Sequence, residues 1–162
     1  MLERSKSIRR KSSIDLDIYL VYDNIYISSG QAAYNLSELK KKNITHVVNA
    51  APQVQACPFE TQCEYYKLNI LDSINETLIN YFEDVNKFIH NAIQNNGNVL
   101  IHCHEGISRA PTICAGYLIE YHNFKHDQSL QTIKQKKKNI NPNKGFENQL
   151  EMFYKKIQKK NN

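Results

Sequence analysis

The segment from residue 101 to residue 109, with sequence IHCHEGISR, constrains the fold of this chain most strongly. Residues 98–101 form a short apolar run after the Asn96-Gly97 turn signal, which predicts a buried strand. Pro111 then suits the first turn of a helix. Apolar residues recur at helical spacing at Ile113, Cys114, Tyr117, Leu118 and Tyr121. The predicted order is strand, tight loop and helix, a junction at which α/β sheets bind ligands.

The loop itself has the composition of a phosphate site with a nucleophile. Cys103 and Arg109 lie six positions apart around Gly106. If the loop curves around one point, its backbone N–H groups form a nest for phosphate oxygens, and the helix N-terminus adds its dipole. Glycine permits the backbone angles of such a curve, and the planar guanidinium can bind two oxygens at once. The predicted phosphate site comprises His104, Glu105, Gly106, Ile107, Ser108 and Arg109.

The rest of the chain alternates between strand and helix patterns. Strands are predicted at residues 18–21, 25–28, 44–50 and 64–70. Helices are predicted at residues 32–42, 78–93 and 128–137, with a final one bearing apolar residues between 146 and 157. This alternation predicts an α/β sandwich, with a central, mostly parallel sheet flanked by helices. The length of 162 residues and the 41% hydrophobic content are typical of one domain.

The loop resembles the signature of the cysteine-dependent protein phosphatases, in particular their dual-specificity branch. The resemblance lies in His102-Cys103, five intervening residues and the Ile107-Ser108-Arg109 ending. Residues 23–50, 65–72 and 141–150 resemble further segments of the same family in the expected order. The similarity covers residues 15–158 and implies a protein-phosphatase-like sandwich.

The resemblance also implies a role for each site residue. Cys103 attacks the phosphoryl group to form a phosphocysteine, and Arg109 clamps the phosphate while its charge spreads. Asp72, 31 residues before the cysteine, serves as general acid and then as general base. His102 orients the loop backbone and favours the thiolate. No metal or other cofactor is implied.

Asp72 has a competing structural role that the sequence leaves open. It could cap a following helix, and Ser73 with Glu76 offers a capping box for the same helix. Zinc is a further alternative at His102-Cys103-His104, but adjacent residues seldom converge on one ion and no paired ligand spacing accompanies them.

Two residues depart from the family pattern. The family usually has Ser or Thr after the arginine, where the hydroxyl helps the cysteine sulfur leave, whereas this chain has Ala110. We therefore expect slow hydrolysis of the phosphoenzyme. Glu105 places a carboxylate in an anion-binding loop, which disfavours very acidic substrates such as polyphosphorylated lipids. Both departures keep open the alternative of a phosphoprotein-binding pseudophosphatase. The same chemistry on a non-protein phosphate ester is a separate alternative.

Positive charge is concentrated at the N-terminus. Residues 1–13 contain five basic residues and one acidic residue, which account for +4 of the net charge of +5. Residues 1–14 are expected to form a disordered basic arm, and residues 159–162 a polar tail. Residues 9–16 resemble the docking peptide that mitogen-activated kinases recognise. Residues 136–138, three consecutive lysines, are expected to form a solvated helix end.

The expected partner is a phosphorylated protein, and neither nucleic acid nor membrane is expected. Four cysteines without a dense framework, and a polar N-terminus, favour a reducing cytoplasmic or nuclear location. The protein is expected to be a monomer.

Overall fold

The computed structural model describes residues 14–52 and 62–162. Its strands are β1 (Ile18–Tyr22), β2 (Ile25–Ser28), β3 (Ile44–Asn49), β4 (Glu64–Lys67) and β5 (Asn98–His102). Its α-helices are α1 (Leu36–Lys41), α2 (Phe82–Gln94), α3 (Arg109–His122), α4 (His126–Lys136) and α5 (Lys144–Asn161). Short 3₁₀ turns at Ala32–Tyr34 and Ile79–Tyr81 precede α1 and α2.

The described strands form one sheet in the order β1-β2-β5-β3-β4. β1 and β2 pair antiparallel as a hairpin, whereas β5 pairs parallel with both β2 and β3, and β3 pairs parallel with β4. The predicted α/β class, with a mostly parallel sheet between helices, is therefore confirmed.

β5 is buried on both faces, which explains its continuous apolar sequence. Val99 and Ile101 pack into the larger core with α2, α3 and α5. Leu100, between them, points to the opposite face and packs with Val47 and Leu39. α3 lies in the middle of the helical layer, and all its residues from 109 to 119 are buried. The loop is thus anchored at one end by the central strand and at the other by the central helix.

The boundaries of several predicted elements differ from the structure. The predicted helix at 32–42 divides into a 3₁₀ turn and α1, because Asn35 leaves helical angles (φ −83°, ψ 88°) and its side chain caps α1 at the N–H of Glu38. The strand predicted at 64–70 ends at Lys67. Helix α4 spans 126–136 rather than 128–137.

Lys137 contradicts the expectation of a solvated lysine cluster at 136–138. Its side chain is 1% exposed, since the chain leaves the helix at this residue (φ −122°, ψ 94°) and turns back toward the sheet. Its neighbours Lys136 and Lys138 are exposed as expected. Within residues 14–52 and 62–162, no helix is both long and apolar enough to cross a bilayer.

Candidate active site

A pocket of about 260 Å³ lies where β5 ends and α3 begins. It is lined by Asp72, Cys103, His104, Glu105, Ile107, Ser108 and Arg109. The predicted nucleophile, clamp and acid therefore face one cavity, although the acid comes from a segment 31 residues earlier. Gly106, His102 and Ala110 lie behind this lining and are buried.

Cys103 sits at the bottom of the loop, with 2% of its surface exposed. The backbone N–H of Gly106 donates a hydrogen bond to Sγ at 3.2 Å. Gly106 adopts φ +72°, and a Cβ built there would lie 2.6 Å from the carbonyl oxygen of Ser28. Glycine is therefore required for two reasons, the left-handed backbone and the close approach of β2. Its N–H is placed to stabilise negative charge on the sulfur.

Arg109, the first residue of α3, is 4% exposed and extends toward the segment of residues 70–72, which carries Asp72. Nη1 donates to the carbonyl oxygen of Ile70 at 3.0 Å. This carbonyl is available because β4 ends at Lys67 and the chain runs on outside the sheet. The bond orients the guanidinium and ties it to the segment that carries Asp72. Ala110 follows as a fully buried residue whose methyl group offers no hydroxyl to the loop.

His102 is buried beneath the loop and contacts the carbonyl oxygen of Cys103 through Nδ1 at 3.4 Å. Burial lowers the pKa of His102 to about 4, although the contact with Cys103 opposes this shift. The ring is therefore neutral near pH 7. Because the contact is with a carbonyl, Nδ1 must carry the proton if it donates. His102 can orient the loop backbone, as the resemblance implied, but it adds no positive charge beside the sulfur.

Asp72 lies on the loop after β4, where two donors bind the same carboxylate oxygen. The Ser108 hydroxyl and Nδ2 of Asn143 each donate to Oδ1 at 2.8 Å. Within the described ranges, Oδ2 receives no hydrogen bond. The carboxylate is thus oriented on one side and left accessible on the other, as a proton-transferring group needs.

The alternative role of Asp72 as a helix cap is not observed. No described helix begins at residues 73–76, and the next helical segment is the 3₁₀ turn that starts at Ile79. The predicted capping box does not form either, since Ser73 Oγ accepts from the N–H of Asn75 while Glu76 Oε2 accepts from the N–H of Leu71. These bonds fold the acid-bearing loop on itself instead.

Asn143 is the site residue that the sequence reasoning missed. Its position before a predicted helix signals an N-cap, and Oδ1 does accept from the N–H of Phe146 at 2.9 Å. The same side chain reaches Asp72, and its backbone N–H donates to Ser108 Oγ at 3.0 Å. No local pattern could have indicated this second role, because the partners lie 71 and 35 positions away.

The outer residues of the loop are held by backbone bonds from two sides. The N–H of Gly30 donates to the carbonyl of His104 at 3.0 Å, and the N–H of Asn141 donates to the carbonyl of Ile107 at 2.8 Å. The side chains of His104 and Glu105 are exposed at the rim. Among the residues described, no group of three or more His, Cys, Asp or Glu side chains could hold a metal ion.

Comparison with known proteins gives a consistent result. A family model described as the catalytic domain of dual specificity phosphatases matches residues 25–156. Dual specificity protein phosphatase 1B of Arabidopsis thaliana is 34% identical over 142 residues, which cover 88% of this chain and 84% of that protein. Tyrosine-protein phosphatase yvh1 of Schizosaccharomyces pombe is 33% identical over 138 residues, which cover 85% of this chain and 42% of that longer protein.

A solved structure shares the overall fold. The human tyrosine phosphatase-like serine/threonine/tyrosine-interacting protein superposes with a TM-score of 0.84 at 26% sequence identity. The match covers 89% of this chain and 99% of that one.

Proposed function

The chain belongs to the family of dual-specificity phosphatase catalytic domains, and we propose that it cleaves phosphotyrosine and phosphoserine or phosphothreonine through a phosphocysteine on Cys103. As a member of this family it is a protein phosphatase that acts on phosphoproteins. The observation that carries the mechanism is the shared pocket of Cys103, Arg109 and Asp72.

In the first step, the sulfur of Cys103 attacks phosphorus, so an S–P bond forms while the P–O bond to the substrate breaks. Arg109 and the loop amides stabilise charge on the equatorial oxygens. The leaving oxygen takes its proton from Asp72. The N–H of Gly106, 3.2 Å from Sγ, supports the thiolate before attack.

In the second step, the Asp72 carboxylate takes a proton from water, the water oxygen bonds to phosphorus, and the S–P bond breaks to release phosphate. Ala110 provides no hydroxyl to stabilise the departing sulfur. We expect a burst of product followed by slower steady turnover. Rapid-quench measurements should detect accumulated phosphocysteine, and Ala110→Ser should raise the steady rate. A wild-type enzyme without a burst, unchanged by Ala110→Ser, contradicts this step.

The proposed substrate preference follows from the charge at the rim of the pocket. The exposed carboxylate of Glu105 lowers the local potential, so phosphoproteins are favoured over polyphosphorylated lipids. Glu105→Gln should therefore increase kcat/KM for an acidic phosphopeptide more than for a basic one. An equal change for both peptides contradicts the electrostatic argument.

A mitogen-activated kinase is the proposed protein partner, bound through residues 9–16. Residues 9–13 lie outside the described residues. The two apolar residues of the motif, Ile14 and Leu16, are 47% and 57% exposed, which supports their use in docking. Replacing both by Ala should weaken binding to such a kinase without altering hydrolysis of an aryl phosphate. Unchanged kinase binding refutes the docking assignment.

A phosphoprotein-binding role without turnover is the second candidate, favoured by Ala110. One incubation series separates the two roles. Wild type, Cys103→Ser and Asp72→Asn are given an aryl phosphate and peptides carrying each phosphoresidue, with and without chelator. The enzymatic role is supported if the wild type releases phosphate, Cys103→Ser abolishes this release and chelator leaves it unchanged. An inactive wild type that still binds phosphopeptides supports the binding role, and activity only on non-protein esters supports the third alternative.

The same proposal includes a cytoplasmic or nuclear location and a monomeric state. A thiolate nucleophile needs a reducing compartment, and the buried cysteines Cys103 and Cys114 are free thiols. Fractionation and sedimentation of the tagged full chain test these two points.

A further inference from the structure

Lys137 carries the most deeply buried ammonium group among the described residues. Its Nζ donates to Oδ2 of Asp15 at 3.2 Å and to Oδ1 of Asn139 at 2.7 Å. It also lies 4.9 Å from the ring centroid of Tyr19. A buried charge is strongly unfavourable unless it is paired and hydrogen-bonded, and this one has both kinds of partner. The ion pair is therefore a specific structural feature and differs from the exposed pairs elsewhere on the surface.

Asp15 is the partner that links the pair to the other side of the site. Burial raises the pKa of Asp15, but hydrogen bonds from the Asp17 N–H, Lys137 and Tyr19 lower it more, so the carboxylate is charged near pH 7. The backbone carbonyl of Asp15 also accepts from Ser29 Oγ at 2.6 Å. Asp15 thus binds the segment after β2 through its backbone and the segment after α4 through its side chain.

Each of these two segments directly supports the loop of residues 103–109, here called the phosphate loop. After Ser29, the N–H of Gly30 binds the carbonyl of His104. Four residues after Lys137, the N–H of Asn141 donates to the carbonyl of Ile107. Two residues further on, Nδ2 of Asn143 donates to Asp72. The two supports contact the loop at His104 and Ile107, three positions apart. Because both bonds are to backbone carbonyls of the loop, a change in the separation of the supports would displace these carbonyls relative to each other.

We propose that Asp15 and Lys137 are a positioning pair, which holds the two supports of the phosphate loop at the separation that oxyanion binding requires. The pair touches neither the pocket nor the substrate, and it acts through residues 28–30 and 139–143. This inference rests on the proposed function, since it takes the loop as the phosphate site. It also connects the N-terminal segment to the catalytic machinery 88 positions further along the chain, between Asp15 and Cys103.

The test compares the full chain with Asp15→Asn and Lys137→Met. Lys155→Met is the matched control, because Lys155 forms an exposed ion pair with Glu151 on α5 at 2.7 Å. Binding of tungstate, a phosphate-like oxyanion, is measured by titration calorimetry, and kcat and KM are measured with an aryl phosphate. We expect the dissociation constant of tungstate to rise about tenfold and kcat to fall about tenfold in both pair variants, as sub-ångström displacement of a binding loop predicts. The control should match wild type.

A merely structural role would lower the melting temperature without changing tungstate affinity in the folded protein. Pair variants that are folded and bind tungstate within about twofold of wild type therefore overturn the proposal. If Lys137→Met does not fold, Asp15→Asn decides the matter, because the Asp15 side chain is 23% exposed and an amide of the same shape can be solvated there. A wild type that binds tungstate but releases no phosphate refutes the proposed function alone, and the affinity comparison still tests the pair.

Discussion

Asn143→Ser tests whether the amide of Asn143 orients Asp72, the proposed general acid. The side chain has two separable roles, since Oδ1 caps α5 at the N–H of Phe146 and Nδ2 donates to Asp72 at 2.8 Å. Serine caps a helix about as well as asparagine, but its hydroxyl is too short to reach Asp72 while it caps. The substitution therefore removes one hydrogen bond to the carboxylate and retains the helix end.

The magnitude follows from the surroundings of Asp72. A hydrogen bond to a charged group contributes about 1.5–3 kcal/mol when it is shielded from water. Asp72 is exposed and keeps its bond from Ser108, so we assign about 1 kcal/mol to the lost contact. This corresponds to about a fivefold loss in kcat/KM. The free energy of unfolding should fall by no more than about 1 kcal/mol, the value assigned to this contact, because the cap is kept. Asn143→Ala, which also removes the cap, should lose about 1 kcal/mol of stability in addition.

The assay uses two aryl phosphates, one with a strongly acidic and one with a weakly acidic leaving phenol. Only the weakly acidic phenol needs a proton from Asp72, so the fivefold loss should be confined to that substrate. In the Asp72→Asn background, Asn143→Ser should have no further effect, because the two residues act as one unit. A fivefold loss that persists in that background refutes the orientation argument.

Three other contacts give expected outcomes of their own. Gly106→Ala should lower kcat/KM about 100-fold, because left-handed φ and the 2.6 Å approach to Ser28 force the loop to move; activity near that of wild type contradicts it. Burial lowers the pKa of His102 from 6.5 to about 4, so between these pH values the unfolded chain binds a proton that the folded chain excludes. The free energy of unfolding, measured in urea, should therefore fall as the pH drops from 6.5 to about 4, and His102→Gln should make it less dependent on pH. Asn35→Ala should cost about 1 kcal/mol in the same assay by removing the cap of α1, whereas an unchanged midpoint would show that the cap contributes nothing.

Much of the fold was predictable because its signals are local and periodic. The apolar run of β5, the helical stripes and the turn at Asn96-Gly97 each follow from spacing along the chain. The boundaries were less predictable. The helix predicted at 32–42 breaks at Asn35, where a side-chain cap competes with helix continuation, and periodicity carries no signal for that competition.

The residues of the candidate site also divide into those that the sequence indicated and those whose role it left open. Cys103, Gly106 and Arg109 lie within one contiguous loop, so their spacing alone indicates their chemistry. The role of Asp72 stayed open between acid and helix cap. The absence of a described helix start at residues 73–76, together with the shared pocket, removes the cap.

Local sequence was sufficient to specify the strand, loop and helix that present a cysteine and an arginine to one pocket, because residues close in the chain must be close in space. The distant groups that support this loop depend instead on tertiary packing. The Ile70 carbonyl orients Arg109, Asn143 orients Asp72, and Lys137 is buried against Asp15 across 122 positions. Such contacts arise when packed elements bring polar atoms within hydrogen-bonding distance, and a single hydrogen bond between distant segments leaves no periodic trace in a sequence.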